Sequence, residues 1–120
     1  YKPDGAVLDF TKGYGDKFAL ETDPFMAASG ADILITDTWT SMGEEAEKEE
    51  RKKIFKDYQI NRQLLAAANA GAMVQHCLPA YRGQEITEEV FEEHADEIFN
   101  EAENRLHAQK AVMVKLMKKD

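Results

Sequence analysis

An α/β fold, with a parallel sheet flanked by helices, follows from two short apolar runs and from what lies between and after them. ILIT at Ile33–Thr36 and AMVQ at 72–75 have the length and unbroken apolar character of parallel strands buried on both faces. Between them stand segments with helical charge spacing and a helix cap, the strand, crossover and strand order that makes a parallel pair. Polar residues follow each run directly, Asp37-Thr38-Trp39 after the first and His76-Cys77 after the second. In open α/β sheets ligands collect beyond the carboxyl ends of strands, so the Asp37 carboxylate and the Cys77 thiol are expected as neighbours.

Along the chain, Pro3 suits a first helical turn. Val7, Leu8 and Phe10 give an apolar side to a short surface helix that GYG at 13–15 ends. KFALET at 17–22 reads as a strand with Phe18 and Leu20 on one face. Asp23-Pro24 is a strong start for a helix over PFMAASG, and Gly30 stops it. With the strand at Ile33–Thr36 next, this succession implies a right-handed parallel crossover.

After Gly43, EEAEKEERKKIF places Glu44 with Lys48, Glu47 with Arg51 and Glu49 with Lys53 four residues apart in the favourable helical order. Its charged face either keeps the chain soluble or forms a partner-binding surface. Lys56-Asp57-Tyr58 breaks that helix, and Asn61 caps NRQLLAAANA, which leads through Gly71 into the strand AMVQH. Thr87 caps a short helix over 88–94. A longer helix is expected over 101–118, with Leu106, Ala108, Val112, Val114, Leu116 and Met117 spread around much of its circumference. Lys115, Lys118 and Lys119 suit its negative end, and its apolar positions call for a partner surface.

Nothing divides the chain further, since it shows no repeat, low-complexity tract or linker, and 1–120 is expected as a single domain. Charged residues at 32% and hydrophobic ones at 43% fit a soluble globular protein. A net charge of −8 argues against nucleic acid or an anionic membrane as the main partner. The single cysteine makes no internal disulfide and fits a cytoplasmic location. No run approaches the roughly 20 apolar residues of a membrane span, and YKPDGAVLDF has no export signal pattern.

Several side chains have two readings. Asp37 either pairs with a ligand ammonium or caps a turn. Ser41, Met42 and Gly43 turn backbone donors towards a ligand carboxylate at a helix start, or Ser41 is an ordinary cap. Trp39 packs, or walls a pocket. In an extended segment His76 and Cys77 point to opposite sides, which disfavours a catalytic dyad. Cys77 then contacts a small polar substrate or acts as a small apolar side chain. Pro79 restricts Leu78 to extended conformations that present its carbonyl as a fixed acceptor. Arg105 grips a phosphate or carbonyl oxygen, or pairs with Glu101 or Glu103. Glu103 and His107 alone do not make a metal site, and none is assigned. Neither a GxGxxG fingerprint nor a Walker loop occurs, so no nucleotide cofactor is expected.

Taken in order, DTWTSMG at 37–43, HCLPAYRG at 76–83 and EAENRLHAQKA at 101–111 closely resemble the second, ornithine-binding half of the ornithine carbamoyltransferases. The resemblance covers nearly the whole chain and implies a partial Rossmann-like sheet and carbamoyl transfer from carbamoyl phosphate to the side-chain amine of ornithine, giving citrulline and phosphate. It implies that Asp37 binds the α-amino group and that Ser41 and Met42 hold the amino-acid end. It further implies that Cys77, Leu78 and Arg105 meet carbamoyl phosphate, that Cys77 and Arg105 serve catalysis, and that His76 and Pro79 shape the loop.

No cofactor is implied. The partners implied are ornithine, carbamoyl phosphate and a homo-oligomer. Whole members also carry a carbamoyl-phosphate domain with a Ser-Thr-Arg-Thr motif that this sequence lacks, so that domain or another chain is an expected partner and the isolated chain is expected to be inactive. Tyr81 stands where the family's HCLP-A-HRG pattern commonly has histidine. The competing reading is a non-catalytic amino-acid-binding or assembly module on the same scaffold.

Overall fold

Local capping decides where most helices begin. A computed structural model describes residues 1–41, 43 and 45–118. α1 (Gly5–Thr11) starts behind Asp4, whose carboxylate accepts the Ala6 N–H, so Pro3 precedes the helix rather than opening it. A 3-10 helix, Lys12–Lys17, continues it through GYG, with Gly15 at φ 57°. α2 (Pro24–Ala28) begins as expected, with Asp23 accepting from Phe25 and Met26, and Gly30 ends it at φ 73°.

Beyond β1 (Ile33–Thr36) a 3-10 turn, Glu45–Glu47, leads into α3 (Lys48–Phe55). The expected Glu47–Arg51 pair forms at 2.9 Å, but Glu49 bonds Lys52 at 3.0 Å instead of Lys53. Glu44 and Lys119 lie outside the described residues. After the 3-10 turn Lys56–Tyr58, Asn61 caps α4 (Arg62–Ala67) at the Leu64 N–H. β2 (Met73–His76) follows, then α5 (Glu88–Glu93), capped by Thr87. α6 (Ala95–Met117) starts six residues before the expected Glu101, because Ile98 anchors its first turn in the core.

β1 and β2 pair in parallel with Ile33 opposite Met73 and Thr36 opposite His76. The crossover between them runs through α3 and α4. The core is Ala28, Leu34, Ile60, Leu64, Val74, Ile86, Val90, Phe91 and Ile98. Its frame is closed by Ile60, whose N–H donates to the Glu85 carbonyl at 2.8 Å and whose carbonyl accepts from Thr87 at 3.0 Å.

Two expectations fail for one physical reason. KFALET forms no strand among the described residues, so the crossover expected from it to β1 does not exist. Neither strand is buried on both faces, since Ile33 is 47%, Ile35 67% and Met73 39% exposed. Apolar alternation makes a segment fit for a sheet, but pairing and covering come from elements elsewhere. α6 packs along β2, where its Glu97 accepts the Val74 N–H. Beyond its first turns α6 projects from the body, leaving Leu106, Val112, Met113, Val114, Leu116 and Met117 exposed. This projection explains a radius of gyration of 16.7 Å where a compact chain of this length gives about 14 Å.

Candidate functional site at the strand ends

Because Thr36 and His76 are register partners, Asp37 and Cys77 leave the sheet side by side. Ligating atoms of Asp37, His76 and Cys77 lie within 4.8 Å of one another. Partial burial pushes the Cys77 thiol above its ordinary range. A hydrogen bond to Asp37 and that carboxylate's charge add to the shift, with a smaller contribution from Glu101. Cys77 is thus held as a thiol beside Asp37. The turn-cap reading of Asp37 holds, since its Oδ1 accepts the Thr38 N–H at 2.7 Å, and the carboxylate also faces the thiol.

His76 and Cys77 face opposite sides, as the extended segment predicts. The His76 ring is fully buried, whereas Cys77 is exposed. Although the two are near each other, the ring bonds elsewhere: Leu78 N–H donates to Nδ1 at 2.9 Å and Nε2 meets Glu85 Oε1 at 3.1 Å. With both nitrogens engaged, His76 is turned to the core, and Asp37 and Cys77 face outwards as a pair. Leu78 is not extended. It sits at φ 57°, before a cis bond to Pro79, and that φ costs a leucine about 1–2 kcal/mol. The Leu78 N–H bond to His76 offsets part of that cost.

Arg105 and Cys77 line one cavity of about 340 Å³ with Glu101, Ala102, Asn104 and Ala108. This brings the third sequence motif, on α6, to the strand ends. Glu103 bonds His107 at 3.1 Å, while Arg105 is exposed along the cavity. Ser41 is exposed on the loop after β1, and Met42 lies outside the described residues. Trp39 packs against Phe55 at 6.4 Å, and its carbonyl accepts from Arg51 at 3.3 Å. Tyr81, the departure from the family pattern, lies under the Lys48 ammonium at 5.7 Å.

Two residues were missed from sequence. Glu85 is fully buried and accepts the Tyr81 N–H at 2.6 Å as well as facing His76. Glu101 lines the cavity with its Oε2 buried and without a hydrogen-bond partner. A carboxylate next to the apolar Ile86 was the available signal for Glu85. Glu101 was read only as an alternative partner of Arg105, from its place one turn before it.

The sequence profile described as "Aspartate/ornithine carbamoyltransferase, Asp/Orn binding domain" matches residues 1–116. The chain belongs to this carbamoyltransferase family. It is 52% identical over 123 residues to an ornithine carbamoyltransferase of a Nitratiruptor species, covering 99% of this chain and 40% of that protein. To the ornithine carbamoyltransferase of Gloeobacter violaceus it is 58% identical over 121 residues, covering 98% and 39%. Among solved structures, the anabolic ornithine carbamoyltransferase of Campylobacter jejuni superposes with a TM-score of 0.91 at 45% identity, covering 97% of this chain and 40% of that one. The chain therefore spans about 40% of the length of such carbamoyltransferases, and its α/β fold is that of their structures. No described helix is long and apolar enough to cross a membrane.

Proposed function

We propose that this chain carries the ornithine-side half of an ornithine carbamoyltransferase site. The carrying observation is that Cys77, at the strand ends of one parallel pair, stands beside Asp37 on one side and shares a cavity with Arg105 on the other, although the three are distant in sequence. Asp37 takes the α-ammonium of ornithine, and Ser41 with Met42 holds its carboxylate end. Cys77 and the Leu78 carbonyl border the place where the side-chain amine meets the carbamoyl carbon. His76 and Pro79 shape that loop, and Arg105 faces the phosphate.

In the reaction a nitrogen–carbon bond forms, the carbon–oxygen bond to phosphate breaks with its electrons leaving on phosphate, and the amine gives up a proton. A lysine-like amine has a pKa of about 10.4, so attack requires a site that favours its neutral form. A protonated Cys77 beside it avoids the additional negative charge that would hold the amine cationic. Positioning and cationic stabilisation of the leaving phosphate supply the rest.

One arginine is too little for a phosphate dianion, and the remaining length of a carbamoyltransferase, on the same polypeptide or another, supplies the other cations. The test is citrulline formation from ornithine and carbamoyl phosphate by the 120-residue chain alone, and by the chain joined to the rest of the Campylobacter jejuni enzyme. Activity in the joined form, lost in Arg105→Ala and absent from the chain alone, supports the proposal. A joined, folded enzyme that makes no citrulline contradicts it.

The second reading, an assembly module, draws on the apolar outer half of α6. Stable self-association abolished by Leu116→Glu, without ornithine binding, would favour it.

A further inference from the structure

The turn that presents Cys77 and the Leu78 carbonyl is held from behind by one buried carboxylate. Leu78 N–H donates to His76 Nδ1, so that nitrogen carries no proton and the ring's proton sits on Nε2, directed at Glu85 Oε1. The same oxygen receives the Tyr81 N–H at 2.6 Å. Glu85 is itself tied to the body, because its carbonyl accepts from Ile60 and its neighbour Ile86 is core.

We propose that Glu85 is the positioning residue of the 76–81 loop: by receiving His76 Nε2–H and Tyr81 N–H it fixes the His76 tautomer, and through the Leu78 N–H it sets where Cys77 and the Leu78 carbonyl sit. Three observations separate this from a plain core ion pair. Glu85 and His76 are both 0% exposed, so water cannot stand in for either partner. Glu85 Oε2 has no hydrogen-bond partner, an arrangement poorly suited to stability alone, where an apolar side chain of similar size does as well. Leu78 also holds a disfavoured φ of 57°, which persists only where its surroundings determine it.

The inference deepens the reading above, since the loop carries two of the residues assigned there to the reacting groups. It is tested on the whole chain, labelled with ¹⁵N, from the ring nitrogen signals of His76 and the hydrogen exchange of the Leu78 and Tyr81 amides. The wild type is expected to show a bare Nδ1 and a protonated Nε2. Glu85→Gln, which keeps an acceptor oxygen, should retain this tautomer and both protected amides. Glu85→Leu should give mixed tautomers and exchange faster by about tenfold or more at Leu78 and Tyr81, with the Val74 amide unchanged.

A proton on Nδ1 in the wild type, or an unaltered His76 and unaltered amides in Glu85→Leu, overturns the proposal. If Glu85→Leu does not fold, the wild type and Glu85→Gln decide, and loss of the tautomer in Glu85→Gln overturns it. None of these readouts uses ornithine, so absent ornithine binding sinks the proposed function and leaves this assignment standing.

Discussion

β1 and β2 are strands of four residues in register in one parallel ladder, yet the surroundings of their carboxyl halves differ. The partners Leu34 and Val74 are both buried and the partners Ile33 and Met73 both open, but His76 is fully buried where Thr36 is half-buried, and Gln75 is half-buried where Ile35 lies open. The difference comes from α6. Its Ile98 packs into the core, and its Glu97 accepts the Val74 N–H at 2.8 Å along the strand edge. An apolar run therefore declares a strand, whereas its covering is decided by a helix distant in sequence. Just beyond their carboxyl ends the strands become equivalent again, since each contributes one outward-facing member of the Asp37 and Cys77 pair.

The contrast breaks most visibly if α6 is loosened from β2. Ile98→Ala empties a fully buried site and should cost about 2–5 kcal/mol, read as a lower urea midpoint at unchanged slope. Glu97→Ala leaves the Val74 N–H without its acceptor and should cost about 1–3 kcal/mol.

The same carboxylate makes part of this stability pH-dependent. Burial opposes ionisation of Glu97, but the His94 hydrogen bond, the Val74 N–H and the His94 charge outweigh it and hold its pKa below the ordinary glutamate range. A depressed acid contributes stability above its unfolded pKa and loses it as pH falls through the folded one. Urea midpoints of the wild type should therefore fall on acidification through the lower carboxylate range, and those of Glu97→Gln should fall less.

A smaller effect is expected where the strands meet. Removing the Asp37 carboxylate takes away an acceptor and a charge that hold the Cys77 thiol protonated. Alkylation by iodoacetamide at neutral pH should then rise several-fold in Asp37→Asn, and by less in Glu101→Gln. On the open face of β1, Ile35→Thr should move stability by no more than about 0.5 kcal/mol. A loss as large as that of Ile98→Ala would show that β1 is covered after all.

The features read correctly from sequence are those set by near neighbours. Asp23, Asn61 and Thr87 cap helices within three residues of themselves, and the strands formed coincide with ILIT and fall within one residue of AMVQ. The meeting of Asp37 with Cys77 was also readable, because parallel strands of equal length end together. KFALET was misread because a strand requires a partner that its own residues do not specify. Leu78 was misread because the usual rule for a residue before proline was overridden by a ring nitrogen two residues back. Glu85 escaped because its role consists of contacts to His76 and Tyr81 in a motif that reads as complete without it.

The central claim is that the strand ends form an ornithine half-site, and titration calorimetry of ornithine into the 120-residue chain tests it most directly. The account predicts saturable binding, weakened about tenfold or more by Asp37→Asn, where a charge-assisted contact is lost, and unchanged in Ile35→Thr. Binding that Asp37→Asn leaves intact, or no binding by a folded chain, would contradict it.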